Sequence, residues 1–474
     1  MRGWMNWRKQ VVTTALTVFI ATATAQAADV RLELKEANWE LRPGLSTRVW
    51  SYNGSVPGTP IIVQEGERVV VEGVNHLPVA TNIHWHGLLV PNDQDGPSRV
   101  IKPGEPFRYE FTANESGTYW YHSHYRPVVT QVDMGLYAPF IVKTAADRKY
   151  SGDHILVLDD WYLDANGKRL DGTARGDMER YGNIETVNGK TGDAIPPLVF
   201  RQGELHKLRL INASTAAYHT LQLPGHRFRV THTDGHPLVD PYMTDTVTLA
   251  PGERIDVEVA AVGTAGQQYR LISERPELGM IVPIVYAGKA VAPVISPFVP
   301  PVSRAFAGIQ DKSPDFTLEL GSRMDMASMT GGSMAGMQHA GHAMAMSVPQ
   351  DGASKMQWTI NGKVFPNTDP IKVTVGQVVK VRFWNKDTQG MHLMDHPIHV
   401  HGAYFQIVSQ NGQVPDREMW KDTVNVPAGQ YVDVAFVMKE AGIWMLHCHI
   451  LDHEDGGMMT EVVAQPASEP QTRQ

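Results

Sequence analysis

The chain of 474 residues contains one cysteine, Cys448. It can form no internal disulfide, and structural zinc sites built on several thiolates are excluded. Long apolar runs are also missing. The longest, Val11 to Ala25, falls short of the roughly 20 residues that span a bilayer. Basic residues are in deficit, with 42 Lys and Arg against 50 Asp and Glu and a formal charge of −8. Nucleic-acid binding needs clustered Lys and Arg to neutralise phosphates, so no nucleic-acid partner is expected.

The apolar run does fit a secretory signal. Arg8 and Lys9 precede it, and Ala25-Gln26-Ala27 is a small-residue cleavage site. Residues 1–27 are therefore expected to be removed on export to the periplasm, with no stable membrane insertion. Loss of Arg2, Arg8 and Lys9 takes the formal charge from −8 to −11. Arg8-Lys9 only weakly approximates a twin-arginine signal, which leaves the export route open.

What is abundant is histidine in a particular spacing. The cysteine lies in His447-Cys448-His449, followed by His453 and Met458. Thiolate, imidazole and thioether together favour copper, and two His, one Cys and a weak axial Met form the ligand set of a blue-copper site. On a strand, Cys448 points to one face while His447 and His449 point to the other. Three more pairs share the i, i+2 form: His84 and His86, His122 and His124, His399 and His401. His396 lies an odd number of residues from His399 and His401, so it belongs on the opposite face. Two groups result. One is His396, Cys448, His453 and Met458; the other is eight histidines from four His-x-His pairs.

These motifs, including His84-Trp85-His86-Gly87 and the segment from His396 to Gly402, resemble those of the three-domain multicopper oxidases over nearly the whole mature chain. The resemblance implies four copper ions. The first group would be the type 1 copper that takes electrons from substrate. The second would be a trinuclear cluster reducing O2 to water. By motif position, His84 and His399 would bind type 2 copper. His86, His122 and His449 would bind one type 3 copper, and His124, His401 and His447 the other.

Internal repetition supports three domains. Gly66-Glu67, Gly203-Glu204 and Gly376-Gln377 each open an alternating stretch that ends nine residues after the glycine, at Asn75, Asn212 and Asn385. Pro103-Gly104, Pro251-Gly252 and Pro427-Ala428-Gly429 precede the next strand of each copy. Gly117, Gly266 and Gly442 introduce the last. Five and seven residues after Gly117 and Gly442 come the histidines, but the same offsets from Gly266 reach Leu271 and Ser273. The expected fold is all-β, with three Greek-key β-sandwich domains, which the resemblance makes cupredoxin-like. The expected bounds are 28–147 with trinuclear ligands, 148–300 without ligands, and 301–474 with type 1 and trinuclear ligands. His206, His219, His226, His232 and His236 in the middle domain read as ordinary strand or turn residues.

Residues Met324 to Met346 interrupt the sandwich pattern with seven of the 21 methionines. Soft thioethers favour Cu(I); the bland alternatives are a linker or an adaptable methionine surface. The insertion resembles that of bacterial cuprous oxidases, the copper-resistance branch of the family. That resemblance nominates Met324, Asp325, Met326, Met394 and Asp395 for a substrate Cu(I) site, although the acidic residue of that branch is not matched at His392. Reduction of O2 also needs protons, and Asp95 and Glu454 match carboxylates that the family uses near the cluster. Asp95 sits equally well in a turn. The expected function is Cu(I) oxidation coupled to O2 reduction. The alternatives are a laccase-like oxidase of small organic reductants such as phenols or aromatic amines, and a copper-binding or electron-transfer protein.

Overall fold

The computed structural model describes residues 28–170, 180–324, 356–388 and 393–467. The proposed signal, His392, Asp325, Met326 and the remainder of the Met-rich insertion after Met324 lie outside the described residues.

Alternation of side chains produces the strands. In Leu45–Tyr52, Leu45, Thr47, Val49 and Ser51 are buried on one face. Among the described residues, six sheets pack as three sandwiches. In the first, strands Leu45–Tyr52, Ala28–Arg42, Glu67–Asn75 and Pro106–Ala113 lie side by side over a sheet of Ile61–Gln64, Tyr137–Lys143 and Gly117–His122. Ala28–Arg42 runs parallel to Glu67–Asn75, whereas its other neighbour, Leu45–Tyr52, is antiparallel. The middle sandwich pairs a five-stranded sheet with a six-stranded one. The third repeats this plan, and its five-stranded sheet runs Ile371–Thr374, Met459–Gln465, Gly442–Cys448, His396–Val400, Thr423–Val426. Each sandwich has its own apolar core.

The repeated asparagine has one structural job in all three copies. Asn75, Asn212 and Asn385 are fully buried. Each side-chain amide donates to two backbone carbonyls: Val79 and Ile101, Ala217 and Leu249, Met394 and Val426. Each side-chain oxygen accepts from the backbone N–H two residues on. A buried amide satisfied at both ends locks the loop that follows its strand. In the third copy that lock holds the Met394 carbonyl, two residues before His396.

Strand Leu205–Asn212 of the middle sandwich is buried along its whole length. Its Arg209 reaches the first sandwich by donating to Thr118 Oγ1 (3.0 Å). The first and middle domains therefore meet through buried contacts, polar at Arg209 and apolar where Trp120, Val128 and Val132 pack with Val157, Trp161 and Ile211, a cluster that Leu451 of the third domain joins.

Candidate metal centres

His396 opens the strand His396–Val400, and Cys448 closes the neighbouring strand Gly442–Cys448. A short helix, Leu451–Asp455, turns the chain back and brings in His453. Cys448 Sγ lies 3.7 Å from His396 Nδ1 and 3.5 Å from His453 Nδ1, and the two nitrogens are 3.2 Å apart. Met458 is fully buried in the same core as Cys448. Its N–H donates to the His453 carbonyl (2.8 Å), and its carbonyl accepts from the Cys448 N–H (3.0 Å), closing the loop.

Two supports of this group carried no sequence signal. Asp387 accepts from His396 Nε2 (3.0 Å) and is itself held by the Ser322 N–H and hydroxyl. Burial pushes the Asp387 carboxyl up, but the His396 and Ser322 contacts outweigh it and hold it below the usual range. Trp358 stacks on the His453 ring at 3.6 Å between centroids.

The eight paired histidines converge between the first and third domains, all buried. His84 and His122 exchange backbone hydrogen bonds of 2.9 and 3.1 Å. His399 and His447 are register partners in the third domain. Across the interface, His84 stacks on His401 and His86 on His399, each with centroids 3.8 Å apart. His124, His401 and His447 bring their Nε2 atoms together, with 3.3 Å from His124 to His447 and 3.2 Å from His401 to His447.

The hydrogen bonds at the outer nitrogens decide which lone pairs face inward. His84 Nδ1 donates to the Asp95 carbonyl (3.0 Å), His122 Nδ1 to the Ser123 carbonyl (2.8 Å), and His399 Nδ1 to the Asp422 carbonyl (2.9 Å). His401 Nδ1 donates to Asp95 Oδ2 (2.8 Å), and His447 Nδ1 to the Cys448 carbonyl (3.1 Å). In His86 the order is reversed: Nε2 donates to Asp422 Oδ1 (3.1 Å). The opposite nitrogens of His84, His86, His122 and His399 are buried without a protein partner, as are both nitrogens of His449. A hydrogen-bond acceptor on one ring nitrogen, with a bare lone pair on the other, is how metal-binding imidazoles are fixed. The donor set therefore fits metal ions, and neutral imidazoles with one thiolate suit copper.

Electrostatics agree. Burial, reinforced by neighbouring imidazoles, holds His86, His122, His124, His401 and His449 well below the usual imidazole range. They are neutral imidazoles, the form in which histidine can bind a metal. Glu454 is fully buried; burial raises its carboxyl, but His447 and His124 reverse this and bring it to about 2. It lies 3.1 Å from His447 Nδ1 and 3.5 Å from His124 Nε2. Asp95 spans His84 and His401. Asp422 touches His86 and is gripped by Arg254 of the middle domain. Neither Asp422 nor Arg254 belongs to a motif that sequence reading could single out.

The middle-domain histidines have protein partners. His206 bonds Glu204 and stacks on Phe200, His219 meets Ser214, His226 meets Tyr286, His232 meets Thr231, and His236 packs on Tyr404. Among the substrate candidates, Met394 packs partly buried against the third core. Asp395 accepts from Asn425 Nδ2 and the Ala428 N–H, so both carboxylate oxygens are engaged. Met324 ends the strand Phe316–Met324.

Three family models described as multicopper oxidase match residues 33–147, 152–280 and 338–468. The chain belongs to the multicopper oxidase family, an oxidoreductase class with copper cofactors. It is 29% identical to multicopper oxidase MmcO of Mycobacterium tuberculosis, covering 87% of this chain and 82% of that one. Copper resistance protein A of Escherichia coli is 23% identical over 88% of this chain and 90% of its own. A solved Campylobacter jejuni multicopper oxidase, described as a metallo-oxidase, superposes with a TM-score of 0.74 at 28% identity, covering 93% and 91% of the two chains. A relative named as a laccase, from Botryotinia fuckeliana, matches at 26% identity over 90% of this chain and 80% of its own. Among the described residues no helix is long and apolar enough to cross a membrane.

Proposed function

We propose that this enzyme is an exported cuprous oxidase that removes one electron from each of four Cu(I) substrate ions and passes them to O2. With four protons the products are four Cu(II) and two waters. The observation that carries the oxidase reading is the placement of Cys448 between His447 and His449, on a strand whose two faces serve different ligand groups.

His396, Cys448, His453 and Met458 would hold type 1 copper. His84 and His399 would hold type 2, with His86, His122 and His449 at one type 3 position and His124, His401 and His447 at the other. When bound, these coppers supply one-electron uptake at the thiolate and four-electron reduction of O2 at the cluster. The chain's own residues do the rest. His447-Cys448-His449 links the groups covalently. Asp387 orients the His396 ring at the edge where an electron would enter. Asp95, hydrogen-bonded to His401, and Glu454, beside His447 and His124, would relay protons inward. Among the described residues the middle sandwich supplies none of these ligands, and its bounds are proposed at 148 and 300.

Cu(I) as substrate is supported by the methionines of 324–346, by Met394, and by the relatives named for copper resistance and metal oxidation. Asp395 is a poorer candidate than the methionines because its carboxylate is already committed. A laccase-like activity on phenols is the second reading, favoured by the laccase-named relative. A copper carrier without oxidase activity would leave eight converging imidazoles without a purpose. Oxygen uptake with Cu(I), compared with a bulky phenol, tests the reading; a higher kcat/KM for the phenol would reverse the substrate assignment.

A further inference from the structure

Arg254 comes from the middle domain, which contributes no residue to either ligand group, yet its side chain is fully buried where all three domains meet. A guanidinium has five N–H donors, and here each finds an acceptor. Nε donates to the Thr118 carbonyl of the first domain (3.2 Å). Nη1 donates to the Gly252 carbonyl (3.1 Å) and to Asp422 Oδ1 (2.8 Å). Nη2 donates to the Asp234 carbonyl (3.0 Å) and to Asp422 Oδ2.

Asp422, of the third domain, hands this constraint on. Its Oδ1 accepts from His86 Nε2 (3.1 Å), and its carbonyl accepts from His399 Nδ1 (2.9 Å). The remaining nitrogens, His86 Nδ1 and His399 Nε2, are buried without a protein partner. Two glycines record how tightly this assembly is packed. A Cβ on Gly87, directly after His86, would lie 2.3 Å from Arg254 Nη2 and 2.5 Å from Asp422 Oδ2. A Cβ on Gly252, in the turn leading to Arg254, would lie 2.8 Å from Cγ and Cδ2 of His449. The turn of the ligand-free domain thus presses on one cluster histidine and, through Asp422, steers two others.

We propose that Arg254 is a positioning residue for the eight-histidine cluster: by clamping Asp422 it fixes the ring orientation and tautomer of His86 and His399, aiming their free nitrogens at the metals. The inference rests on the cluster assignment given above. Removing Arg254 leaves Asp422 a buried carboxylate without its cation, free to turn away from His86. A lysine keeps the charge but cannot hold both carboxylate oxygens in one plane.

The test uses the full-length, copper-loaded enzyme with Arg254→Gln and Arg254→Lys. Copper per chain, the type 2 electron paramagnetic resonance signal, the blue absorption and the rate of copper release to a chelator are measured alongside melting temperature. The expected result is a weakened or lost type 2 signal with the blue absorption at full strength. Release of cluster copper should be about 10- to 100-fold faster, matching the affinity typically lost when a hydrogen-bond partner of a metal ligand is removed, with little recovery in Arg254→Lys. A variant with a lower melting temperature but wild-type copper content, type 2 signal and release rate would overturn the proposal and leave Arg254 a structural staple. If the single variants do not fold, the double variant Arg254→Met with Asp422→Asn removes both charges together; a wild-type cluster spectrum there overturns the proposal equally. Copper content of the wild-type chain is the separate control: fewer than four would count against the cluster assignment itself, whatever Arg254 does.

Discussion

His399 and His447 are register partners on adjacent antiparallel strands, and the same pairing sets Ile398 opposite Cys448. One register therefore builds two centres. Both imidazoles face the eight-histidine side, while the thiol one step along faces His396 and His453. A slip of a single residue would exchange the faces and destroy both groups at once. Burial of the strands on both sides, from Met445 to Cys448 and from His396 to Val400, makes that slip costly.

The purified enzyme is expected to carry four coppers per chain and to be blue. Cys448→Ser should abolish the blue absorption, because an alcohol oxygen cannot replace the soft thiolate, while the eight histidines keep their metals. Metal analysis with visible spectroscopy checks this. One copper per chain, or a colour that survives the substitution, would contradict the two-group assignment.

Met458→Leu should leave an active blue site with a higher reduction potential. The axial thioether is a weak donor, and its removal favours Cu(I) over Cu(II). Leucine also suits the fully buried position in the core. Potentiometric titration of the absorption reads the shift; a lower potential would contradict the axial role.

Gly87→Ala should destabilise even the copper-free protein. The glycine has φ +85°, and the methyl would meet Arg254 and Asp422. Forcing a side chain into that backbone region costs about 1–3 kcal/mol before the clash is counted. Calorimetry of the apoprotein would show it as a reduced melting temperature, and an unchanged value would mean that the three-domain junction is far softer than its packing implies.

Acid should weaken the apoprotein. His86, His122, His124, His401, His449 and His453 are held well below the usual imidazole range by burial, and His399 less so. In the unfolded chain an imidazole titrates near about 6.5. The unfolded state thus binds more protons as pH falls below that value, so the stability these groups contribute is present above it and lost on acidification. His447 has the opposite sign: burial lowers it, but Glu454 and the Cys448 carbonyl more than reverse this and raise it. Burial lowers His154, His206, His219, His226, His232 and His236 as well. The carboxyls of Asp159, Asp160, Glu185, Glu253, Asp455 and Glu461, which burial raises, act with His447 in the opposite sense, and the lowered histidines outnumber them. The melting temperature of the apoprotein should fall from about pH 7 to about pH 5, and a flat profile there would refute the argument.

Deletion of residues 325–346 should reduce kcat/KM for Cu(I) more than for a phenol. The methionines supply soft ligands that a phenol does not need. Oxygen-uptake kinetics on wild type and deletion give the ratio. Equal losses would make the segment structural, and unchanged Cu(I) oxidation would move the laccase-like reading ahead.

The ligand groups were legible in the sequence because strand parity is a local rule. A residue's face depends only on whether its neighbour is an odd or even number of steps away, so the sorting of His396, Cys448 and the four His-x-His pairs needed no tertiary information. The three-domain plan was legible for the same reason, since each Gly-to-Asn repeat writes its own strand and loop lock. Asp387, Trp358, Asp422 and Arg254 were not legible. Arg254 and Asp422 are 168 residues apart, and His86 and Asp422 are 336 apart. No periodicity links residues at such separations. Their contacts exist only because three separately cored sandwiches close on one another, and burial there admits a charge only where its partner is already waiting. The chain by itself determined which side chains could share a face; the closure of the domains brought the two halves of the eight-histidine group together and fixed the outer nitrogens of His86 and His401 through Asp422 and Asp95.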